Sequence, residues 1–139
     1  MPVSEEAPPP RDGVVATGIA GLDTILGGGL PRDRIYLLDG DPGTGKTTVA
    51  LQFLIEGQRQ GEKGLYVTLS ETAAELRSVA RSHGLDLTGI TIYELAASDA
   101  SVLPENQYTV FHPSEVELGA TTKAIMDAVW STLKDRPAP

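Results

Sequence analysis

The feature that most constrains this chain is a glycine-rich loop between an apolar strand pattern and an apolar helix pattern. Residues 40–47 read Gly-Asp-Pro-Gly-Thr-Gly-Lys-Thr and fit the pattern G-x-x-x-x-G-K-[ST]. The run Ile35–Leu38 predicts a buried strand before the loop, and Lys46–Gln60 predicts a helix that is apolar nearly all round after it. Because strand, loop and helix come in the order that the motif requires, the sequence predicts a loop that binds nucleotide phosphates rather than a turn that only caps a helix.

The residue types in this loop suit phosphate binding. Gly43 and Gly45 can adopt backbone angles closed to other residues, so that successive amide N–H groups point into one concavity at the positive end of a helix dipole. Lys46 is predicted to reach the β- and γ-phosphates, and the Thr47 hydroxyl is predicted to be a ligand of Mg²⁺. The predicted phosphate-binding set is Gly40, Asp41, Pro42, Gly43, Thr44, Gly45, Lys46, Thr47 and Thr48, with Lys46 also expected to act in catalysis and Thr47 expected to be the metal ligand.

Phosphoryl transfer also needs carboxylates, one for the nucleophile and one for the metal. Asp39 ends an apolar run, but that run leads into the phosphate loop itself, so Asp39 is not expected to serve the metal, and no other predicted strand ends in this way. Glu71 follows the second predicted strand, and the carboxyl ends of parallel strands face the ligand crevice. From the residues alone, Glu71 is either a catalytic carboxylate or an acid favoured by a helix dipole.

The remaining pattern alternates strands with helices, which predicts an α/β fold with a mostly parallel sheet flanked by helices. The predicted elements are a short helix around Leu22–Leu26 that ends at Gly27–Gly29, strands at 65–69, 90–93 and 108–111, and helices at 72–83 and 120–133, with 96–118 otherwise loop-like. Residues 1–13 are predicted to be a flexible Pro-rich tail, 14–134 a domain and 135–139 a second tail. Trp130, Met126 and Leu133 lie on one helical stripe and are predicted to be core rather than interface.

Composition narrows the class of protein. The 139 residues carry 11 Lys and Arg against 19 Asp and Glu, for a net charge of −8, and between Ser82 and Thr122 there is no Lys or Arg. Because a nucleic-acid binder needs Lys and Arg to neutralise phosphates, nucleic acid is not expected as a partner. The absence of Cys excludes thiol catalysis and Cys-based metal sites. With no apolar run long enough to span a bilayer and no signal pattern, a cytoplasmic location is expected.

Several motifs together carry a family resemblance. They are Thr17-Gly18-Ile19-x-Gly21-Leu22-Asp23, then Gly27-Gly28-Gly29-Leu30-Pro31, then residues 40–48 with Gln52-Phe53-Leu54, then Val67 to Thr72. This combination resembles the start of a KaiC-like ATPase domain in the RecA/RadA superfamily of P-loop ATPases. The resemblance implies binding of ATP with Mg²⁺, slow hydrolysis or Ser/Thr autophosphorylation in some members, and homo-oligomers that are often hexameric rings. The family often has two adjacent Glu where this chain has Ser70 and Glu71, so Glu71 fits the second of them, which favours its catalytic role.

The resemblance also predicts what this chain lacks. In the family, the helix matching 120–133 is followed by a strand with the metal-associated Asp, whereas this sequence stops at Pro139. The sequence is therefore expected to be the N-terminal portion of a RecA-like domain, truncated before that strand, with residues 34–39 deprived of neighbouring strands.

The sequence leaves open whether this protein is an enzyme. The favoured function is an ATP-binding protein of the ATPase family; the alternatives are a non-catalytic nucleotide-binding or interaction module and, less favoured, a RecA/RadA-type DNA-dependent ATPase.

Overall fold

The computed structural model describes residues 12–95 and 115–134. In chain order the elements are β1 Val14–Val15, α1 Ala20–Ile25, β2 Leu30–Pro31, α2 Lys46–Arg59, β3 Leu65–Thr68, α3 Ala73–Ser82, β4 Thr91–Glu94 and α4 Glu115–Lys134. The described residues form two compact units: the first contains residues 12–64 and Arg77–Ile90, and the second contains Leu65–Leu76 with residues 91–95 and 115–134. The mixed α/β class is confirmed. None of the described helices is both long and apolar enough to cross a membrane.

In the first unit, two short strands close a glycine-rich segment. Strands β1 and β2 pair antiparallel, with Val15 opposite Leu30. Helix α1 ends at the glycine triplet as predicted, because the amide of Gly28 donates to the carbonyl of Asp23 at 2.7 Å and Gly27 has a φ of +70°. The sequence pattern did not predict β1 and β2, since two-residue strands carry no periodicity.

Helix α2 is confirmed as the longest helix of the first unit. Its end is closed by the amide of Glu62, which donates to the carbonyl of Gly57, while Gly61 adopts a φ of +83°. The nearly all-round apolar pattern corresponds to partial burial on several sides: Leu51 is fully buried, and the other residues from Lys46 to Gln58 are half-buried.

The predicted strand at Ile35–Leu38 is wrong in this structure. Residues 34–40 form no strand, and the side chains of Ile35 and Leu37 are 101% and 91% exposed. A strand is stable only when its backbone N–H and C=O groups pair with a neighbour. Within the described ranges, residues 12–95 and 115–134, no strand pairs with this segment.

In the second unit, β3 and β4 form the predicted parallel pair. Leu65 lies opposite Thr91 and Thr68 opposite Glu94. Both strands differ from prediction by one residue: β3 ends at Thr68, and β4 begins at Thr91. Because the pair is parallel, the residues that follow Thr68 and Glu94 leave the same edge of the sheet.

Helix α4 packs against β3 but turns its largest side chains outward. Its Ala128 is buried, whereas Met126, Trp130 and Leu133 are 50%, 57% and 53% exposed, so the prediction of a core stripe there is wrong. Ala128 and Trp130 lie about 200° apart around the helix, so the face that buries the alanine exposes the tryptophan. The helix begins at Glu115, inside the segment predicted to be a loop, and the predicted strand at 108–111 lies outside the described residues.

Helix α3 is confirmed, with Leu76 and Ala80 buried on one face. Its start is a capping box: the amide and the hydroxyl of Thr72 donate to Glu75 Oε2 at 2.7 and 2.9 Å, and the amide of Glu75 donates to Thr72 Oγ1 at 3.2 Å. At its end, Gly84 has a φ of +69° and the amide of Leu85 donates to the carbonyl of Ala80, so a glycine in the left-handed region ends the helix.

The capping box predicts a pH-dependent contribution to stability. The backbone amide of Thr72, and then its hydroxyl, hold the pKa of Glu75 below its ordinary value of 4.5. A lowered folded-state pKa stabilises the fold above that ordinary value, and the contribution is lost as the pH falls through the folded-state pKa. We therefore expect Glu75→Gln to lower the midpoint of urea unfolding at about pH 7, and we expect the two chains to converge once the pH falls below the folded-state pKa of Glu75.

The control for this measurement is Thr72→Ser, which keeps both donors to Glu75. It should follow the parent chain at every pH. A Glu75→Gln variant whose unfolding midpoint stays the same distance from that of the parent chain over the whole range would contradict the prediction.

Candidate functional site

The loop of residues 40–47 has the backbone that its sequence predicts. The amide of Thr44 approaches the carbonyl of Asp41 at 3.4 Å and closes a turn over Pro42 and Gly43. Proline followed by a glycine with φ +81° is typical of a type II turn. Gly45 then adopts φ +94° immediately before α2 begins. Alanine at either glycine would meet no atom within 4 Å, so these positions require glycine for its backbone angles, and the space around them is open.

Side chains of the loop bond back onto its own carbonyls. The Lys46 ammonium donates to the carbonyls of Gly40 and Asp41 at 2.5 and 2.7 Å. The Thr44 hydroxyl donates to the same Asp41 carbonyl at 2.8 Å. A Cβ at Gly40 would lie 2.9 Å from Thr44 Oγ1, so the loop is closely packed at this point. Lys46 is thus held at the mouth of the loop by neutral acceptors.

The start of α2 presents unpaired donors. Among the described residues, none accepts a hydrogen bond from the amides of Gly45, Lys46, Thr47 or Thr48, and the first paired amide is that of Val49, which donates to the carbonyl of Gly45 at 3.0 Å. Such amides carry the positive end of the helix dipole. Four consecutive unpaired amide donors at the start of a helix suit an anion with several oxygens, such as a polyphosphate.

The residues present fit a magnesium ion only in the company of phosphates. Thr47 is half-buried in the first turn of α2 and offers a hydroxyl oxygen, which is a hard ligand of the kind that Mg²⁺ prefers. Within residues 12–95 and 115–134, no group of three His, Asp or Glu side chains could hold a metal by itself. Asp39 is exposed.

A buried polar pair supports the helix that carries the loop. Asp23 Oδ1 accepts hydrogen bonds from the amide and the hydroxyl of Thr17 at 2.8 and 2.7 Å, and both residues are buried. Next to Thr17, a Cβ at Gly18 would lie 2.9 Å from Glu56 Cβ and 3.2 Å from the carbonyl of Gln52, so this backbone lies directly on α2. Thr17 and Asp23 both belong to the first of the family motifs, but their contact was not predicted from the sequence, because a separation of six residues alone does not indicate it.

Glu71 lies in the second unit, in the turn between β3 and α3. Its backbone is fixed: the amide donates to Thr68 Oγ1 at 3.0 Å, and the Thr68 hydroxyl donates to the Glu71 carbonyl at 2.9 Å. Two other acids serve the start of α3, since Glu75 belongs to the capping box and a Glu94 oxygen accepts from the amide of Ala73 at 2.6 Å. The half-buried Glu71 carboxylate accepts no hydrogen bond from any residue in the described ranges.

The sequence is similar to proteins of one family along most of its length. The family described as "ATPase: KaiC" matches residues 15–136. Circadian clock protein KaiC3 of Synechocystis sp. is 38% identical over 125 residues, which cover 85% of this chain and 24% of that protein. Circadian clock oscillator protein KaiC 1 of the same organism is 40% identical over 124 residues, with coverage of 86% and 23%. A UPF0273 protein of Pyrococcus horikoshii is 47% identical over 73 residues, with coverage of 52% and 30%.

This chain therefore spans less than a third of the length of each of these relatives. The family match nonetheless covers well over half of the chain and includes the whole glycine-rich loop with its helix. With that match over residues 15–136, the chain belongs to the KaiC family of ATPases.

Proposed function

We propose that this chain binds ATP together with Mg²⁺ through residues 40–48. The observation that carries the proposal is the row of four amides, Gly45 to Thr48, that donate to no described acceptor at the start of α2. A triphosphate supplies anionic oxygens for these donors without any rearrangement of the helix. The open space around Gly43 and Gly45 leaves room for phosphate to approach the backbone closely.

In this proposal Lys46 changes partners when ATP binds. Its ammonium leaves the neutral carbonyls of Gly40 and Asp41 for the charged β- and γ-phosphates, which are stronger acceptors. The Thr47 hydroxyl would hold Mg²⁺, which when bound neutralises charge on the phosphates. Asp41 and Pro42 act through the backbone, as the start of the turn that shapes the loop.

Calorimetric titration of the chain tests ATP binding. We expect saturable binding of Mg-ATP, weaker binding of ATP when EDTA removes the metal, and no measurable binding of adenosine, which has no phosphate for the loop. Equal affinities for adenosine and Mg-ATP would show that the phosphates do not bind at residues 40–48.

We further propose that Glu71 is the carboxylate that activates a nucleophile for attack on the γ-phosphate. A carboxylate committed to helix capping is unsuited to this task, but that work is done by Glu75 and Glu94, and the Glu71 carboxylate keeps its lone pairs available. In hydrolysis, the oxygen of water bonds to the γ-phosphorus, the bond from that phosphorus to the β,γ-bridging oxygen breaks, and Glu71 accepts the proton of the water. A Ser or Thr hydroxyl in place of water would give autophosphorylation by the same step.

Replacing Glu71 by glutamine separates binding from chemistry. We expect Glu71→Gln to lower the rate of phosphate release by about 10²- to 10⁴-fold, the usual contribution of a general base, with little change in the Kd of Mg-ATP. The matched control is Glu62→Gln, which removes the same charge from an exposed residue that pairs only with Arg32 in the described chain. Phosphate release is measured on the parent chain, Glu71→Gln and Glu62→Gln. The catalytic role of Glu71 requires that only Glu71→Gln releases phosphate more slowly.

The alternative function is a nucleotide-responsive module without catalysis. It is favoured by the absence of a carboxylate cluster that could hold the metal within the described residues. This module would bind Mg-ATP as above but release no phosphate. Phosphate release that Glu71→Gln abolishes would contradict it.

The wider family properties remain proposals for this chain. Assembly into a homo-oligomer, which the family resemblance implies, predicts a mass in solution larger than that of one chain. Light scattering with and without Mg-ATP measures this mass.

DNA-dependent ATPase activity is disfavoured by the net charge of −8. Such an activity predicts a steeply salt-dependent affinity for DNA.

A further inference from the structure

We infer that Thr68 is a positioning residue for Glu71; this inference rests on the catalytic role proposed above for Glu71. Thr68 is the last residue of β3 and is only 5% exposed. Its hydroxyl accepts a hydrogen bond from the amide of Glu71 at 3.0 Å and donates one to the carbonyl of the same residue at 2.9 Å. One side chain thus fixes both polar groups of the Glu71 backbone.

Thr68 is itself held by the sheet. It lies opposite Glu94 in the parallel register of β3 and β4, and its carbonyl accepts from the amide of Leu95 at 2.9 Å. The sheet therefore fixes the main chain of Thr68. Because the Thr68 hydroxyl bonds to the backbone of Glu71, three residues later, the position of Glu71 is fixed as well.

The turn between these two residues has little other support. Leu69 is 66% exposed and Ser70 is exposed, so neither residue anchors the turn by burial. On the other side of Glu71, the capping box of Thr72 and Glu75 fixes the start of α3. Glu71 is thus placed between two anchors while its carboxylate engages no described partner, which is the arrangement that a reacting group needs.

The chemistry requires a hydroxyl in particular. A hydroxyl donates one hydrogen bond while it accepts another, so Thr68 can satisfy an N–H and a C=O at once. Valine has nearly the same shape and suits a strand, but it offers neither bond. Serine keeps both bonds and loses only a methyl group, whereas alanine differs from serine only by the hydroxyl.

The test compares the parent chain with Thr68→Val and Thr68→Ser, with amide hydrogen exchange at Glu71 and phosphate release as the two measurements. We expect Thr68→Val to expose the Glu71 amide to exchange about tenfold faster or more, and to lower kcat by about 10- to 100-fold with KM for Mg-ATP almost unchanged. Thr68→Ser should restore both quantities to within about threefold of the parent chain. If Thr68→Val does not fold, the pair Thr68→Ser and Thr68→Ala makes the same comparison.

A double variant distinguishes positioning from a merely structural role. If Thr68 acts through Glu71, then Thr68→Val combined with Glu71→Gln should turn over no more slowly than Glu71→Gln alone. An additional loss in the double variant, or unchanged exchange of the Glu71 amide in Thr68→Val, would overturn the inference. If Glu71→Gln leaves phosphate release intact, or the parent chain releases none, the proposed catalytic role fails, and the exchange measurement alone still decides whether Thr68 positions Glu71.

Discussion

Replacement of Lys46 by alanine is expected to abolish Mg-ATP binding at the concentrations where the parent chain saturates. The ammonium is the one side-chain cation within the loop, and it already lies at the loop's mouth, bonded to the carbonyls of Gly40 and Asp41. Hydrogen bonds to charged groups contribute about 1.5–3 kcal/mol each, so losing contacts to two phosphates weakens binding by about a hundredfold or more. Isothermal titration calorimetry of the two chains with Mg-ATP measures the difference.

Two further variants make this result specific. Lys123→Ala removes an equal charge from an exposed ion pair with Asp127 on α4 and should leave the Kd unchanged. Lys46→Arg keeps the charge but replaces the compact ammonium by a planar fork, so it should restore binding only in part. The unfolding midpoint of Lys46→Ala should stay close to that of the parent chain, because Lys46 bonds only exposed loop carbonyls. Parent-like binding by a folded Lys46→Ala variant would contradict the proposed ATP site.

Parts of the fold that depend on neighbouring residues could be predicted from the sequence. Helices α2 and α3 were found within one or two residues, because apolar spacing and the stops at Gly61 and Gly84 are local signals. The run Ile35–Leu38 has the composition of a strand, but a strand also needs a partner in the hydrogen-bonding direction, and composition does not supply one. The exposed Trp130 was misjudged for a related reason: a helical stripe identifies a face, whereas the neighbouring element decides which face is covered.

In the candidate site, too, the features that arise from neighbouring residues could be predicted, whereas contacts between distant residues could not. The backbone geometry of residues 40–47 was predictable because the turn, the glycine angles and the start of α2 all arise within one short segment. The capping box of Thr72 and Glu75 has the spacing T-x-x-E and could have been recognised from the sequence. The bond from the amide of Ala73 to Glu94 could not, because it joins residues 21 positions apart whose contact depends on the register of β3 and β4.

Replacement of Gly29 by alanine is expected to cause a large loss of stability. Gly29 is buried with φ +140°, and a Cβ there would overlap the carbonyl of Val15 and lie 2.8 Å from the amide nitrogen of Ala16. Both neighbours are backbone atoms next to the β1–β2 pair, so they cannot turn aside as the end of a long side chain could. The substitution combines overpacking with the strain of a disfavoured φ, so we expect it to lower the free energy of unfolding by about 3 kcal/mol or more. The free energy of unfolding of a whole domain is only about 5–15 kcal/mol. Urea unfolding followed by circular dichroism measures this loss.

Two other glycines separate the causes of this loss. Gly13 has φ +87° but open space around it, so Gly13→Ala should show the cost of the backbone angle alone, about 1–2 kcal/mol. Gly21 lies inside α1 with no atom within 4 Å of the added methyl group, so Gly21→Ala should stabilise the chain by up to about 1 kcal/mol. If Gly29→Ala costs no more than Gly13→Ala, the close approach of Gly29 to Val15 does not exist in solution. The glycine-rich segment would then not be held by the β1–β2 pairing described above.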